Sequence, residues 1–123
     1  MPTLKQVMTE DLVVLSGDLT ILEAAEIMRD SKIEMMPVAG NKNELVGIIT
    51  DRDIVIRGLA EGMDMDTRVC NVMSDDVFFA YEDDSLQTAS EIMIKHNVRR
   101  LPVLTKENRL IGIVSLSNMG EVR

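Results

Sequence analysis

Two four-residue stretches carry oxygens at matched spacing. Thr50-x-x-Asp53 sits in GIITDRDI, and Ser115-x-x-Asn118 sits in GIVSLSNM. A hydroxyl followed three residues later by a carboxylate has two chemical uses. It can cap a helix: the hydroxyl accepts an N–H of the first turn, and the acid answers the N–H of the cap. It can also offer its oxygens to a ligand. A strand end that meets a helix N-terminus has free N–H groups and a dipole that favours anions. Gly47 lets another group approach the backbone just before the motif. Asn118 still hydrogen-bonds, but it carries no charge and also presents a donor. The second stretch is therefore the weaker one.

Other chemistries have less support. Cys70 is the one cysteine and His96 the one histidine. A zinc site needs about four ligands, so the expectation is a buried thiol, a helix-end histidine and no metal site. Glu82-Asp83-Asp84 and Asp75-Asp76 offer oxygens for weak Mg²⁺ binding, but an acidic run before a helix more often favours its dipole. No nucleophile–base–orienter set and no phosphate-cradling Gly-rich loop is present. The expectation is no catalytic residue and no enzyme.

The elements that position these oxygens occur twice. Shifted by 65 positions, the sequence aligns with itself without gaps from Val7 to Ile54. Val7-Met8-Thr9 falls on Val72-Met73-Ser74, Glu26-Ile27-Met28 on Glu91-Ile92-Met93, Pro37-Val38 on Pro102-Val103, and Gly47–Thr50 on Gly112–Ser115. Each copy starts with a short strand, expected at Leu12–Leu15 and Val77–Ala80. A helix follows from about Thr20 to Ser31, and from about Ser85 to His96. Thr20-x-x-Glu23 has the form of a capping box, and Ile21, Ala24, Ala25, Ile27 and Met28 make an apolar stripe. Two strands around a polar turn come next: Glu34–Ala39 with Leu45–Thr50, then Arg99–Leu104 with Leu110–Ser115. A last helix begins at Thr50/Asp51 and, in the second copy, at Ser115/Leu116.

The expected fold class is therefore mixed α/β (α+β): two β-α-β-β-α repeats packed about a pseudo-two-fold axis. A unit of 50 to 60 residues buries too little surface to stand comfortably alone. Residues 1–62 are assigned to repeat 1, 63–68 to a linker and 69–123 to repeat 2, together one compact pair.

The chain has 123 residues, 46% of them apolar, which is enough for one domain with a real core. No apolar stretch approaches the ~20 residues of a membrane helix, and the start, MPTLKQVMTEDL, lacks signal-peptide character. A soluble cytoplasmic protein is expected. A net charge of −8, with no Trp, one Tyr and two Phe, argues against nucleic-acid and membrane partners. Ile54, Val55, Ile56 and Leu59 span a wider arc than one helix face can bury, so a second chain is expected against the second helices.

Taken together, Val7-Met8-Thr9, the Ala24–Met28 helix, Met36-Pro37-Val38, Leu101-Pro102-Val103 and Gly47–Asp53 resemble cystathionine-β-synthase (CBS) domains. The whole chain resembles a tandem CBS pair, or Bateman module. The TDRDIVIRGLAEG segment is similar to small stand-alone bacterial pairs of the hypoxic-response type. The resemblance implies a non-catalytic regulatory sensor that binds AMP, ADP, ATP or S-adenosylmethionine in clefts between the repeats. It implies that Asp53 holds the ribose hydroxyls, with Thr50 and Arg52 in the same motif and Ile48 lining the adenine pocket. Ser115 and Asn118 match the motif in repeat 2. Arg99 and Arg100 stand where family members carry basic residues that reach the phosphate, whereas the first copy has Glu34-Met35 there. One competent site (Thr50, Asp53, Arg99, Arg100) and one degraded site are therefore expected. The ordinary alternative for the arginines is an exposed ion pair with Glu91 or Glu107. The resemblance further implies a homodimer through the second helices and an unidentified effector protein. No cofactor beyond the regulatory ligand is implied.

Overall fold

Thr20 and Ser85, one repeat apart, each start a helix by accepting a backbone N–H at 3.1 Å, from Glu23 and from Thr88. The Glu23 carboxylate returns the bond to the Thr20 N–H. Both helices end on a left-handed residue, Lys32 and Asn97. In the computed structural model, which describes residues 2–10 and 12–116, the elements run as follows. Helix α1 spans Leu4–Val7, strand β1 Leu15–Ser16, helix α2 Ile21–Ser31, strand β2 Met35–Ala39 and strand β3 Leu45–Thr50. Helix α3, Asp51–Asp53, widens into an i→i+5 turn over Ile54–Gly58 and tightens again over Leu59–Glu61. Strand β4 spans Ala80–Tyr81, helix α4 Leu86–His96, strand β5 Arg100–Leu104 and strand β6 Leu110–Ser115.

The chain is thus mixed α/β with two three-stranded sheets, β1-β2-β3 and β4-β5-β6. In each, the first strand runs parallel to the second and the last two form a hairpin. The hairpins share their irregularities. Register shifts at Val38/Ala39 and at Val103/Leu104, and Asn43 and Asn108 take left-handed φ values of 62° and 64° in the turns. Asparagine tolerates that conformation better than other side-chain-bearing residues. The first strands are shorter than expected, Leu15–Ser16 and Ala80–Tyr81. They also start late, sharing only Leu15 and Ala80 with the expected spans: one step back, the facing residues are Pro37 in β2 and Pro102 in β5, which have no N–H for a ladder. The second-copy helix expected from Ser115/Leu116 lies outside the described residues beyond Leu116. Among the described residues, no helix is long and apolar enough to cross a membrane.

The compact units do not follow the repeat boundaries read from the sequence. One unit is 13–77; the other joins 1–12 to 78–123. Backbone hydrogen bonds between segments distant in sequence explain the exchange. Thr9 trades both backbone bonds with Ile113 on β6, and Ser74 does the same with Ile48 on β3. The motif that opens each copy therefore pairs with the hairpin of the other copy. The cores follow suit. Leu4 lies in a cluster with Ala80, Ala89, Met93, Leu101, Val103 and Val114. Val69 and Val72 lie in a cluster with Leu15, Ile21, Met36, Val38 and Ile49. The connecting stretch 63–68 is tied down. The Ile21 N–H donates to Thr67 O at 2.8 Å, the Leu22 N–H donates to Met65 O, and Arg68 pairs with Asp18 at 3.2 Å. The first turn of α2 has orphan N–H groups, and this stretch supplies their acceptors.

Candidate functional site

β3 carries the chain from a buried sheet to the surface and delivers Thr50 at its last position. Thr50 is extended, with φ −120° and ψ 163°, as an N-cap requires. Its Oγ1 accepts the Asp53 N–H at 3.0 Å, and Asp53 Oδ2 accepts the Thr50 N–H at 3.0 Å. Both residues are half-buried. The reciprocal pair uses one carboxylate oxygen of Asp53; Oδ1 has no hydrogen bond among the described residues. The corner is therefore a complete cap that still holds an acceptor in reserve.

Its surroundings are acidic and well tied. The Asp51 N–H donates to Glu34 O at 3.0 Å, so β2 and the first turn of α3 begin side by side. Arg52 is exposed with no side-chain partner among the described residues. Ile48 is 3% exposed, and both its backbone groups are taken by Ser74, so only its side chain is left to meet a ligand. The approach that Gly47 permits is made by Met73, whose thioether lies against it. Arg57 donates from Nη1 to the Met73 carbonyl at 3.0 Å, a bond that the sequence reading missed because it spans 16 residues.

The remaining predicted residues stand in the other unit. Arg99 is exposed just ahead of β5, and its carbonyl accepts the Leu116 N–H at 3.0 Å. Arg100 is half-buried and faces Ser115 across the β5–β6 register. Among the described residues, neither arginine forms the ion pair with Glu91 or Glu107 that the ordinary alternative required. Ser115 is half-buried at the end of β6, and Asn118 lies outside the described residues. The structure thus brings Ile48, Thr50, Arg52 and Asp53 together in 13–77, and Arg99, Arg100 and Ser115 together in the other unit.

Two side readings change or gain detail. Cys70 is exposed rather than buried, because the tight turn Val69–Asn71 turns Val69 inward and Cys70 outward. His96 closes α4 and stacks on Phe78 with ring centres 4.7 Å apart. Among the described residues, no three His, Cys, Asp or Glu side chains gather as metal ligands.

Comparison with known proteins follows the same two-copy pattern. A family model described as CBS domain matches residues 4–59 and again 69–119. The chain is 38% identical over 119 residues to the CBS domain-containing protein YhcV of Bacillus subtilis (strain 168), covering 97% of this chain and 84% of that one. Among solved structures, Hypoxic Response Protein I with two coordinated zinc ions superposes with a TM-score of 0.91 at 32% identity over the full length of both chains. The CBS domain pair of protein MJ0100, in complex with 5-methylthioadenosine and S-adenosyl-L-methionine, superposes with a TM-score of 0.84 at 26% identity, covering 99% of this chain and 95% of that one.

Proposed function

The chain belongs to the CBS-domain family as two tandem copies, and from that premise we propose a non-catalytic regulatory module that binds an adenosine-containing ligand. The observation that carries the reading is the Thr50–Asp53 corner, a rigid, half-buried cap with one carboxylate oxygen to spare. Two adjacent ribose hydroxyls are donors that such an oxygen accepts. The solved pair with 5-methylthioadenosine and S-adenosyl-L-methionine supports an adenosine moiety as the shared element.

We assign Asp53 to the ribose, Thr50 and Arg52 to its surroundings, and the Ile48 side chain to the base. Arg99 and Arg100 are assigned to a phosphate, where charge-assisted contacts are strong. Charge distribution favours this division. Residues 13–77 hold six Lys and Arg against thirteen Asp and Glu, whereas 1–12 and 78–123 together hold seven against eight. A phosphate is repelled by the first set and tolerated by the second. Ser115 and Asn118 make the weaker site. With this ligand the protein needs no cofactor, and an effector protein reads the bound state.

The test is thermal unfolding with AMP, ADP, ATP, S-adenosylmethionine and NADH at millimolar concentration. A ligand at 100 times its Kd stabilises by about 2.7 kcal/mol, which raises Tm by several degrees. Asp53→Ala removes the shift. If none of the five moves Tm, the ligand reading fails.

A second reading rests on a different observation. Val55, Ile56 and Leu59 on the segment after Asp53 are exposed, Leu59 at 71%. We propose that they seat a second copy, making a homodimer. In the competing reading the protein is only such a dimeric scaffold and the caps are only caps. Sedimentation of Leu59→Glu reports the dimer, and the ligand screen separates the two readings.

A further inference from the structure

Arg57 stands four residues beyond Asp53, and its guanidinium reaches out of the helical segment to a distant piece of chain. Nη1 donates to the Met73 carbonyl at 3.0 Å. Met73 packs its thioether on Gly47, and the next residue, Ser74, exchanges both backbone bonds with Ile48 at 2.9 Å. Gly47 and Ile48 belong to β3, the strand that ends in Thr50. The connections close a circuit: β3, the 73–74 stretch, Arg57, Asp53, Thr50 and back to β3.

The circuit matters because of the helix inside it. Only Asp51–Asp53 has α geometry; Ile54–Gly58 is a wide turn in which the Leu59 N–H reaches the Ile54 and Val55 carbonyls. Such wide turns are rare and are frequently found at functional sites. Gly58 fixes the far end, buried against Ile21 and Val72. The capping pair fixes the near end. Between these two, Arg57 makes the one side-chain bond that ties the wide turn to another element among the described residues. The two copies also differ here together. One repeat on, Asp53 becomes Asn118 and Arg57 becomes Val122. In sequence, the first copy carries both the carboxylate and the guanidinium, and the second carries neither at the matching positions.

We infer that Arg57 is a positioning residue for the Thr50–Asp53 corner: by holding the Met73 carbonyl, it sets the direction in which Asp53 presents its carboxylate. The inference builds on the ligand reading above, but its first test needs no ligand. Arg57→Met keeps the stem and loses the donors; Arg57→Lys keeps one donor. Amide hydrogen exchange is measured on the wild type and both variants. In Arg57→Met the Thr50 and Asp53 amides exchange about 5-fold faster or more, while the β2–β3 ladder amides keep their rates. Arg57→Lys restores part of the protection. A uniform rise across β2, β3 and the corner overturns the inference, since it means general destabilisation. No change at Thr50 and Asp53 also overturns it, even if ligand affinity falls, because the guanidinium then acts on the ligand directly.

The second measurement is AMP and S-adenosylmethionine titration by calorimetry. Affinity falls about 3- to 10-fold in Arg57→Met, the loss of one hydrogen bond's worth of order, and recovers in part with Arg57→Lys. Wild type that binds neither probe, nor any of the other three compounds of the thermal screen, with the exchange result as expected, sinks the ligand reading and upholds the positioning role. Unchanged affinity in Arg57→Met, with wild type binding, overturns the positioning role.

Discussion

The thioether of Met73 occupies the space where a side chain on Gly47 would stand. Met8 does the same at Gly112, but there the Thr9 carbonyl also lies 2.9 Å from the place a Cβ would take. Methionine can swing aside; a backbone oxygen held in a ladder cannot. Gly47→Ala is therefore expected to cost about 1 kcal/mol and Gly112→Ala about 3 kcal/mol, the two ends of the usual overpacking range. Urea unfolding of the two single variants gives the ranking. A larger loss for Gly47→Ala would show that the Met73 packing is the stiffer of the two.

The capping pair gives a second expectation. Thr50→Ala deletes the acceptor for the Asp53 N–H and costs about 1 kcal/mol. Asp53→Asn keeps an acceptor for the Thr50 N–H, so it costs less, yet it loses the charge. If the corner serves a ribose, Asp53→Asn weakens the ligand-dependent rise in Tm more than it lowers Tm itself. The same thermal series read with and without AMP separates the two effects.

Leu4 and Val72 test the exchange of segments between copies. Both are fully buried, Leu4 among β4–β6 and α4, Val72 among β1–β3 and α2. Truncation to alanine is expected to cost about 2–5 kcal/mol for Leu4 and somewhat less for the smaller Val72. Hydrogen exchange locates the damage. Leu4→Ala loosens the β4–β6 sheet, and Val72→Ala loosens β1–β3. The reverse pattern would contradict the packing described above.

One charge pair makes a pH prediction. The Arg29 guanidinium hydrogen-bonds Asp30 at 2.8 Å and holds its carboxyl below the ordinary aspartate range. A depressed carboxylate contributes stability that is present above the unfolded value and lost as pH falls through the folded value. Both groups are fully exposed and neighbours in sequence, so salt screens the effect. A carboxyl-detected NMR titration is expected to show Asp30 titrating low in the wild type. It returns to the ordinary range in Arg29→Gln or at high salt. An unmoved Asp30 in Arg29→Gln would mean that another group depresses it.

What the sequence made legible was local. Thr20-x-x-Glu23 and Thr50-x-x-Asp53 both formed the reciprocal bonds their spacing implied, because four residues contain the whole device. The hairpins came out at or within one residue of their expected ends for the same reason. What stayed hidden was decided across the chain. Nothing in LKQVMT says that Leu4 buries against residues about a hundred positions away, and nothing in VCNVMS says that Cys70 faces out while Val69 and Val72 face in. The Arg57–Met73 bond is hidden likewise, since an arginine on an amphipathic helix looks the same whether tethered or free.

The exchange of opening segments also sets an order of events during synthesis. Once residue 77 has left the ribosome, the 13–77 unit holds every strand and all three buried valines of its core. It can close while the rest is still being made. Residues 2–10 have no such early partner. Leu4 must wait, uncovered, until β5 and β6 exist, that is, until about residue 115 has emerged. A stretch translated before the 13–77 unit is thus placed after it, and contacts so distant in sequence are slow to form. A nascent chain stalled when residue 80 has just emerged should therefore present one finished unit and one waiting apolar segment, the species most in need of a chaperone.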